Sequence, residues 1–204
     1  MPTQTYVSID IETTGPTPGI HAMISLGAVA FNEQGEELSA FSVNLQVTDG
    51  MRWDSDTLAF WNKQSDAAWL AVTRNPEYPY IAVHSFEEWL RKLMDTYNTK
   101  LTFVCWPTIY DMPFVQYYWR KYYVLGEVDN PVKLYHVIDI KTMAMLALDC
   151  DYNAASKARM PREWFPPDFT EHTHVAVEDA REQGYMFFQI RQALRDMMQP
   201  KEVK

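Results

Sequence analysis

Residues 5–12 alternate in the strand sense, with Tyr6, Ser8, Asp10 and Glu12 on one face and Val7, Ile9 and Ile11 on the other. Asp10 and Glu12 therefore point the same way. The segment 13–19, with Gly15, Pro16, Pro18 and Gly19, reads as a loop, and residues 24–31 form an apolar, strand-like run. Asn32-Glu33-Gln34-Gly35 turns the chain into a third strand near 38–45, which makes an antiparallel meander. The stretch 48–79 is less regular. Two short helices are expected over 55–63 and 65–73, and their Trp61 and Trp69 read mainly as packing.

Ser85-Phe86-Glu87-Glu88 has the capping-box pattern of a helix running to about Tyr97, with Phe86, Trp89, Leu90, Leu93 and Met94 on its apolar side. Residues 101–105 read as a buried strand. Asp111 stands where the next helix is expected to begin, with Pro113 in its first turn, where a missing amide hydrogen does no harm. Val137-Ile138 is a short strand, Asp139 a cap for a helix reaching Leu148, and 149–169 a long loop. A final helix spans about 175–197, with Ala176, Ala180, Gly184, Phe187, Phe188 and Leu194 as its buried stripe. This order predicts an α/β fold, a mixed sheet flanked by helices, whose strand ends gather Asp10, Glu12 and Asp111.

The length of 204 residues suits one domain covering the chain, with 46–84 as a helical excursion and 198–204 as a frayed tail. No secretory or membrane-spanning run is evident, and two cysteines, Cys105 and Cys150, are too few for a disulfide framework, so a reducing cytoplasm is expected. For a phage-encoded chain that would be the host's. The net charge of −9 argues against a broad basic face that coats nucleic acid, yet it suits a site that gathers carboxylates around metal ions. A short basic track is then expected. Lys157, Arg159 and Arg162 are its candidates, with a solvated loop as the alternative.

Two acids at i and i+2 on one side of a buried strand repel each other, and a bound cation relieves the repulsion. An EF-hand loop starting at Asp10 fails, because its twelfth position is His21 rather than a bidentate Glu and its flanks are strands. The segment His174 to Asp179 sets an imidazole and a carboxylate at the mouth of the last helix. Positions i and i+5 diverge by about 140° within a continuous helix, so His174 is expected just before it, reaching into the space that Asp179 faces. A simple cap, or an acid favoured by the helix dipole, is the plainer explanation of that segment alone.

Taken together, the motifs resemble the DEDDh 3'-5' exonucleases, a group that includes ribonuclease T, oligoribonuclease and polymerase proofreading subunits. Asp10-Ile11-Glu12-Thr13-Thr14-Gly15, with residues 24–29, is similar to the first motif; Tyr110-Asp111-Met112-Pro113-Phe114 is similar to the second and residues 174–179 to the third. The resemblance spans about 5–190. A segment at Thr57-Leu58-Ala59-Phe60-Trp61 also looks like small stand-alone members from phages and bacteria. In place of the polar pair that many members carry before the second motif stands Trp106-Pro107-Thr108, so what orients Asp111 is open.

The resemblance implies a ribonuclease H-like fold and hydrolysis with two Mg2+ or Mn2+ ions. Asp10 would bridge the ions, Glu12 and Asp179 would help hold the one that binds the attacking water, Asp111 would support the other, and His174 would take the water's proton. Hard oxygen ligands suit these metals, and a neutral imidazole suits the base. Thr13, Thr14 and Phe114 are the expected substrate contacts, and Asp139 is read as a cap rather than a fifth acid. The expected reaction removes nucleoside 5'-monophosphates from the 3' end of single-stranded RNA or DNA. The alternatives are a catalytically silent binding module of the same fold and a ribonuclease H-type endonuclease. Whether the chain pairs as a homodimer is left open.

Overall fold

The computed structural model describes residues 3–48, 50–122, 131–169 and 173–199. Five strands, β1 (Thr3–Thr13), β2 (Met23–Phe31), β3 (Glu37–Asn44), β4 (Thr99–Cys105) and β5 (Val137–Asp139), form one sheet in the order β3-β2-β1-β4-β5. β1 pairs antiparallel with β2 and β2 with β3, whereas β1–β4 and β4–β5 are parallel. The expected meander plus parallel strands is what forms.

The two faces of β1 meet different partners. Val7, Ile9 and Ile11 enter a core with Phe86, Leu90 and Leu93 of α3 (Pro79–Tyr97) and Met112, Phe114, Val115 and Tyr118 of α4 (Thr108–Tyr122). Tyr6, on the opposite face, packs with Ile140 and Ala144 of α5 (Ile140–Ala147) and Met186, Phe187 and Ile190 of α6 (Ala176–Met198). Alternation along β1 thus turns Asp10 and Glu12 toward α6. Helices α1 (Ser55–Trp61) and α2 (Asp66–Thr73) fill the excursion between β3 and α3.

Three local expectations need correction. Ser85 is not a cap: α3 starts at Pro79, because Ala82 and Val83 extend the buried stripe a full turn and more before Phe86. Pro113 lies in the second turn of α4, since the helix already starts at Thr108; the carbonyl it leaves unpaired is that of Ile109, which is exposed to water. The loop after α5 contains two 3-10 turns, Lys157–Arg159 and Arg162–Trp164, pinned by buried Met160, Trp164 and Phe165. Cys105 is buried and Cys150 partly so, both as free thiols. Among the described residues, no helix is long and apolar enough to cross a membrane.

Candidate active site

Glycine governs how α6 meets the sheet. Asp10 is the register partner of Gly27 on β2. A Cβ on Gly27 would stand 2.2 Å from the backbone carbon of Ala176 and the nitrogen of Val177, so only glycine lets the first turn of α6 rest directly on β2. That contact delivers Asp179 to the side of β1 that carries Asp10 and Glu12. Asp179 is 1% exposed, and Oδ1 accepts from the Thr173 amide at 3.3 Å and the Thr173 hydroxyl at 3.2 Å.

His174 lies outside the helix, whose cap is Val175, and adopts φ 54°, a left-handed conformation that few side chains other than Gly, Asn, Asp and His enter. Its ring stands edge-on to Phe60 with centroids 5.0 Å apart and at 6.4 Å from the Trp61 ring. In this arrangement Glu12, His174 and Asp179 each bring a ligand atom within 4.8 Å of the others.

Asp111 occupies the first turn of α4 and is 2% exposed. What holds that turn is Asp139. One of its oxygens accepts from the Thr142 amide and hydroxyl at 2.7 Å, capping α5, while the other accepts from the Thr108 amide at 2.7 Å and so anchors the start of α4. The Oδ2 of Asp111 is buried without a hydrogen-bond partner.

The four acids form a crowded electrostatic unit. Burial, followed by the charges of Asp10, Asp179 and Asp111, pushes the Glu12 carboxyl well above the usual range. Burial, followed by the charge of Asp10, does the same to Asp111. Such a set is costly until a cation neutralises it, and the orphaned Asp111 oxygen could serve as a ligand to one. Carboxylate oxygens beside one imidazole fit a hard divalent ion such as Mg2+ or Mn2+ better than a soft one.

One residue beyond the motifs reaches the cluster. Gln183, 1% exposed, donates from Nε2 to Oδ1 of Asp10 at 2.6 Å. Its place four residues after Asp179 on α6 is a usable signal, because i and i+4 share a helix face. Next to it, Glu182 pairs with Lys157 at 2.7 Å.

Beside Glu12 opens a cleft of about 370 Å³ lined by Thr13, Asp56, Thr57, Phe60, Trp61 and Tyr110. Helix α1 is therefore a wall of the cleft as well as packing. Trp61 is bound into place by donating from its indole nitrogen to the Thr13 carbonyl at 3.3 Å, while Phe60 and Tyr110 stay 39% and 41% exposed. The Tyr110 hydroxyl hydrogen-bonds that of Thr13 at 2.9 Å.

The expected substrate contacts separate here. Thr13 borders the cleft. The Thr14 amide donates to the Ala22 carbonyl, its carbonyl accepts from Asp54, and its hydroxyl bridges Ala22 and Arg52, so it holds the loop rather than a ligand. Phe114 is 0% exposed in the core and offers no face to a base, whereas Tyr110, on the same helix, is exposed at the cleft. Of the expected basic track, Arg162 donates to the carbonyls of Pro166, Pro167 and Phe169, and Lys157 is paired as above.

Comparison with known proteins agrees with this fold. A family model described as the 3'-5' exoribonuclease Rv2179c-like domain matches residues 5–190. The 3'-5' DNA exonuclease Cap18 of Escherichia coli is 25% identical over 182 residues, 89% of either chain. The nuclease domain of 3'hExo, a DEDDh family member bound to rAMP, superimposes with a TM-score of 0.62 at 13% identity, covering 95% of this chain and 93% of its own. Pop2p of S. pombe, in a form binding Mg2+ and Mn2+, gives 0.61 at 16% identity, covering 94% and 84%. The chain belongs to the 3'-5' exoribonuclease Rv2179c-like domain family.

Proposed function

We propose that this chain, acting as one exonuclease domain, hydrolyses single-stranded RNA or DNA from the 3' end and releases nucleoside 5'-monophosphates. Asp10, Glu12, Asp111 and Asp179 would hold two divalent ions. When bound, such a pair supplies Lewis-acid stabilisation of the attacking and leaving oxygens and neutralises the scissile phosphate. The observation that carries the reading is the convergence of Glu12, His174 and Asp179 within 4.8 Å at the edge of an aromatic cleft.

The chain's own groups divide the remaining work. His174, set by its left-handed backbone and by Phe60, takes the proton of the attacking water, a role that suits an imidazole near neutral pH. Phe60 and Tyr110 present ring surface to the terminal base at the edge of the cleft. Gln183 fixes the rotamer of Asp10 from behind. The family description names ribonucleic acid and the Cap18 relative names DNA, so both sugars belong in the test.

Linear and circularised single strands of matched sequence, incubated with Mg2+ or Mn2+, test the reading. Loss of the linear strands alone is expected. Cutting of the circles would replace it with the endonuclease, and inertness toward both would leave a binding module.

A further inference from the structure

Helix α4 carries a stripe of which the proposed site uses only the first residue, Tyr110. Tyr110, Pro113, Tyr117 and Lys121 recur at spacings of three and four, which confines them to about 80° of the helix circumference. Tyr110 borders the cleft beside Glu12. Pro113, Tyr117 and Lys121 line a second groove of about 580 Å³, together with Pro18, Gln116 and Arg120. The cleft is walled by the end of β1, by α1 and by Tyr110 at the start of the same α4 stripe, whereas the second groove lies between α4 and the segment that follows β1. Gly19 of that segment sits so close to the Tyr117 ring that a Cβ there would be 3.1 Å from Cε2. Lys121 then borders a third groove, of about 380 Å³, with Gln46, Val47, Thr48, Tyr78 and Tyr122.

The chemistry of these grooves differs from that of the chain as a whole. The protein carries a net charge of −9, yet no carboxylate among the described residues lines the second or third groove. Lys121 holds its ammonium 5.6 Å from the Tyr117 ring centroid and 5.2 Å from that of Tyr122, next to aromatic surface. Cations interleaved with ring faces are what a single strand needs, for its phosphates and its bases respectively. The basic loop at 157–162 is engaged internally at Lys157 and Arg162, which leaves α4 as the better-placed source of positive charge.

We infer that the face of α4 running from Tyr110 at the terminal base through Pro113 and Tyr117 to Lys121 carries, beyond Tyr110, the nucleotides upstream of the scissile bond, an inference that rests on the exonuclease reading. Eleven residues of helix span roughly 16 Å. A dinucleotide seated at the acids falls short of Lys121, and a longer strand reaches it.

The test compares a 12-mer with a dinucleotide of the same sugar, using the wild-type protein and Lys121→Glu. The length preference, taken as the ratio of kcat/KM for the 12-mer to that for the dinucleotide, is expected to fall about tenfold in Lys121→Glu. Lys121→Ala is expected to give a smaller fall and to reduce the slope of log Kd against log salt for the 12-mer by about 0.7, one phosphate contact on a single strand. An unchanged ratio overturns the track, as does an unchanged salt slope. If the wild-type protein turns over neither substrate, the hydrolytic reading fails separately. Fluorescence anisotropy of a labelled 12-mer in Ca2+ then decides the track: weaker binding by Lys121→Glu supports it, and equal binding overturns it.

Discussion

Gln183 donates from Nε2 to Oδ1 of Asp10 at 2.6 Å, joining the middle of the last helix to the first strand across 173 residues of sequence. The carboxylate that it grips is one of the four proposed to hold the ions, and a metal ligand tolerates little rotamer freedom. Gln183→Leu keeps the bulk and removes the donor. A fall in kcat of about 10–100-fold is expected, with a higher Mn2+ concentration for half-maximal rate. Gln183→Asn, too short to reach unaided, should regain part of the rate at saturating Mn2+. Unaltered metal dependence in Gln183→Leu would argue that the contact is only packing.

His174 separates the base from the ligands. His174→Ala should lower kcat by about 10²–10⁴-fold and remove the acid limb of the pH–rate profile. The midpoint of metal-induced thermal stabilisation should move less than in Asp179→Ala. A His174→Ala profile with the same acid limb as the wild type would assign the proton transfer elsewhere.

Gly27 sets the distance between α6 and the sheet. Gly27→Ala places a methyl 2.2 Å from the Ala176 and Val177 backbone, which must then retreat. Chemical denaturation should show a loss of about 1–3 kcal/mol, within the usual cost of overpacking, and activity should fall further than the unfolded fraction explains. Wild-type stability together with wild-type activity would contradict the close approach.

The acid cluster ties stability to pH and metal. Burial and neighbouring negative charge raise the Glu12 and Asp111 carboxyls. A carboxyl raised on folding contributes stability that is present below its unfolded pKa, about 4, and is lost as pH rises through the folded value. Metal-free protein should therefore lose this contribution on going from acid toward neutral pH. A divalent ion requires both carboxyls ionised, so the rise in Tm on adding Mn2+ should be larger at pH 8 than at pH 5.5. Equal rises at the two pH values would contradict cation binding at these acids.

Local periodicity carries much of this structure, and the limits of that legibility are physical. Alternation from Tyr6 to Glu12 puts both acids on one face because successive side chains of a strand point to opposite sides, and the angular divergence of His174 and Asp179 requires the histidine to precede its helix. Phe114 was misplaced for want of one fact, the direction in which α4 packs. Its inward face is Met112, Phe114, Val115 and Tyr118, which leaves Tyr110 outside. The cleft wall at Phe60 and Trp61 is made by contacts between residues far apart in sequence that no local pattern encodes, whereas Gln183 carries one local signal, its i+4 spacing from Asp179, but not its partner. Ser85 shows the converse, a sound capping signature overridden by apolar positions that extend the helix toward Pro79.

The most direct measurement follows two labels on one strand. A single-stranded oligonucleotide with distinct fluorophores, one at the 5' end and one on the base of the 3'-terminal nucleotide, is incubated with the protein and Mg2+ or Mn2+. The expected result is immediate release of the 3' label as a nucleoside 5'-monophosphate while the 5' label descends a ladder one nucleotide at a time, both abolished by chelator and by Asp179→Ala. Early appearance of the 5' label in short internal fragments, or activity that survives Asp179→Ala, would contradict the account.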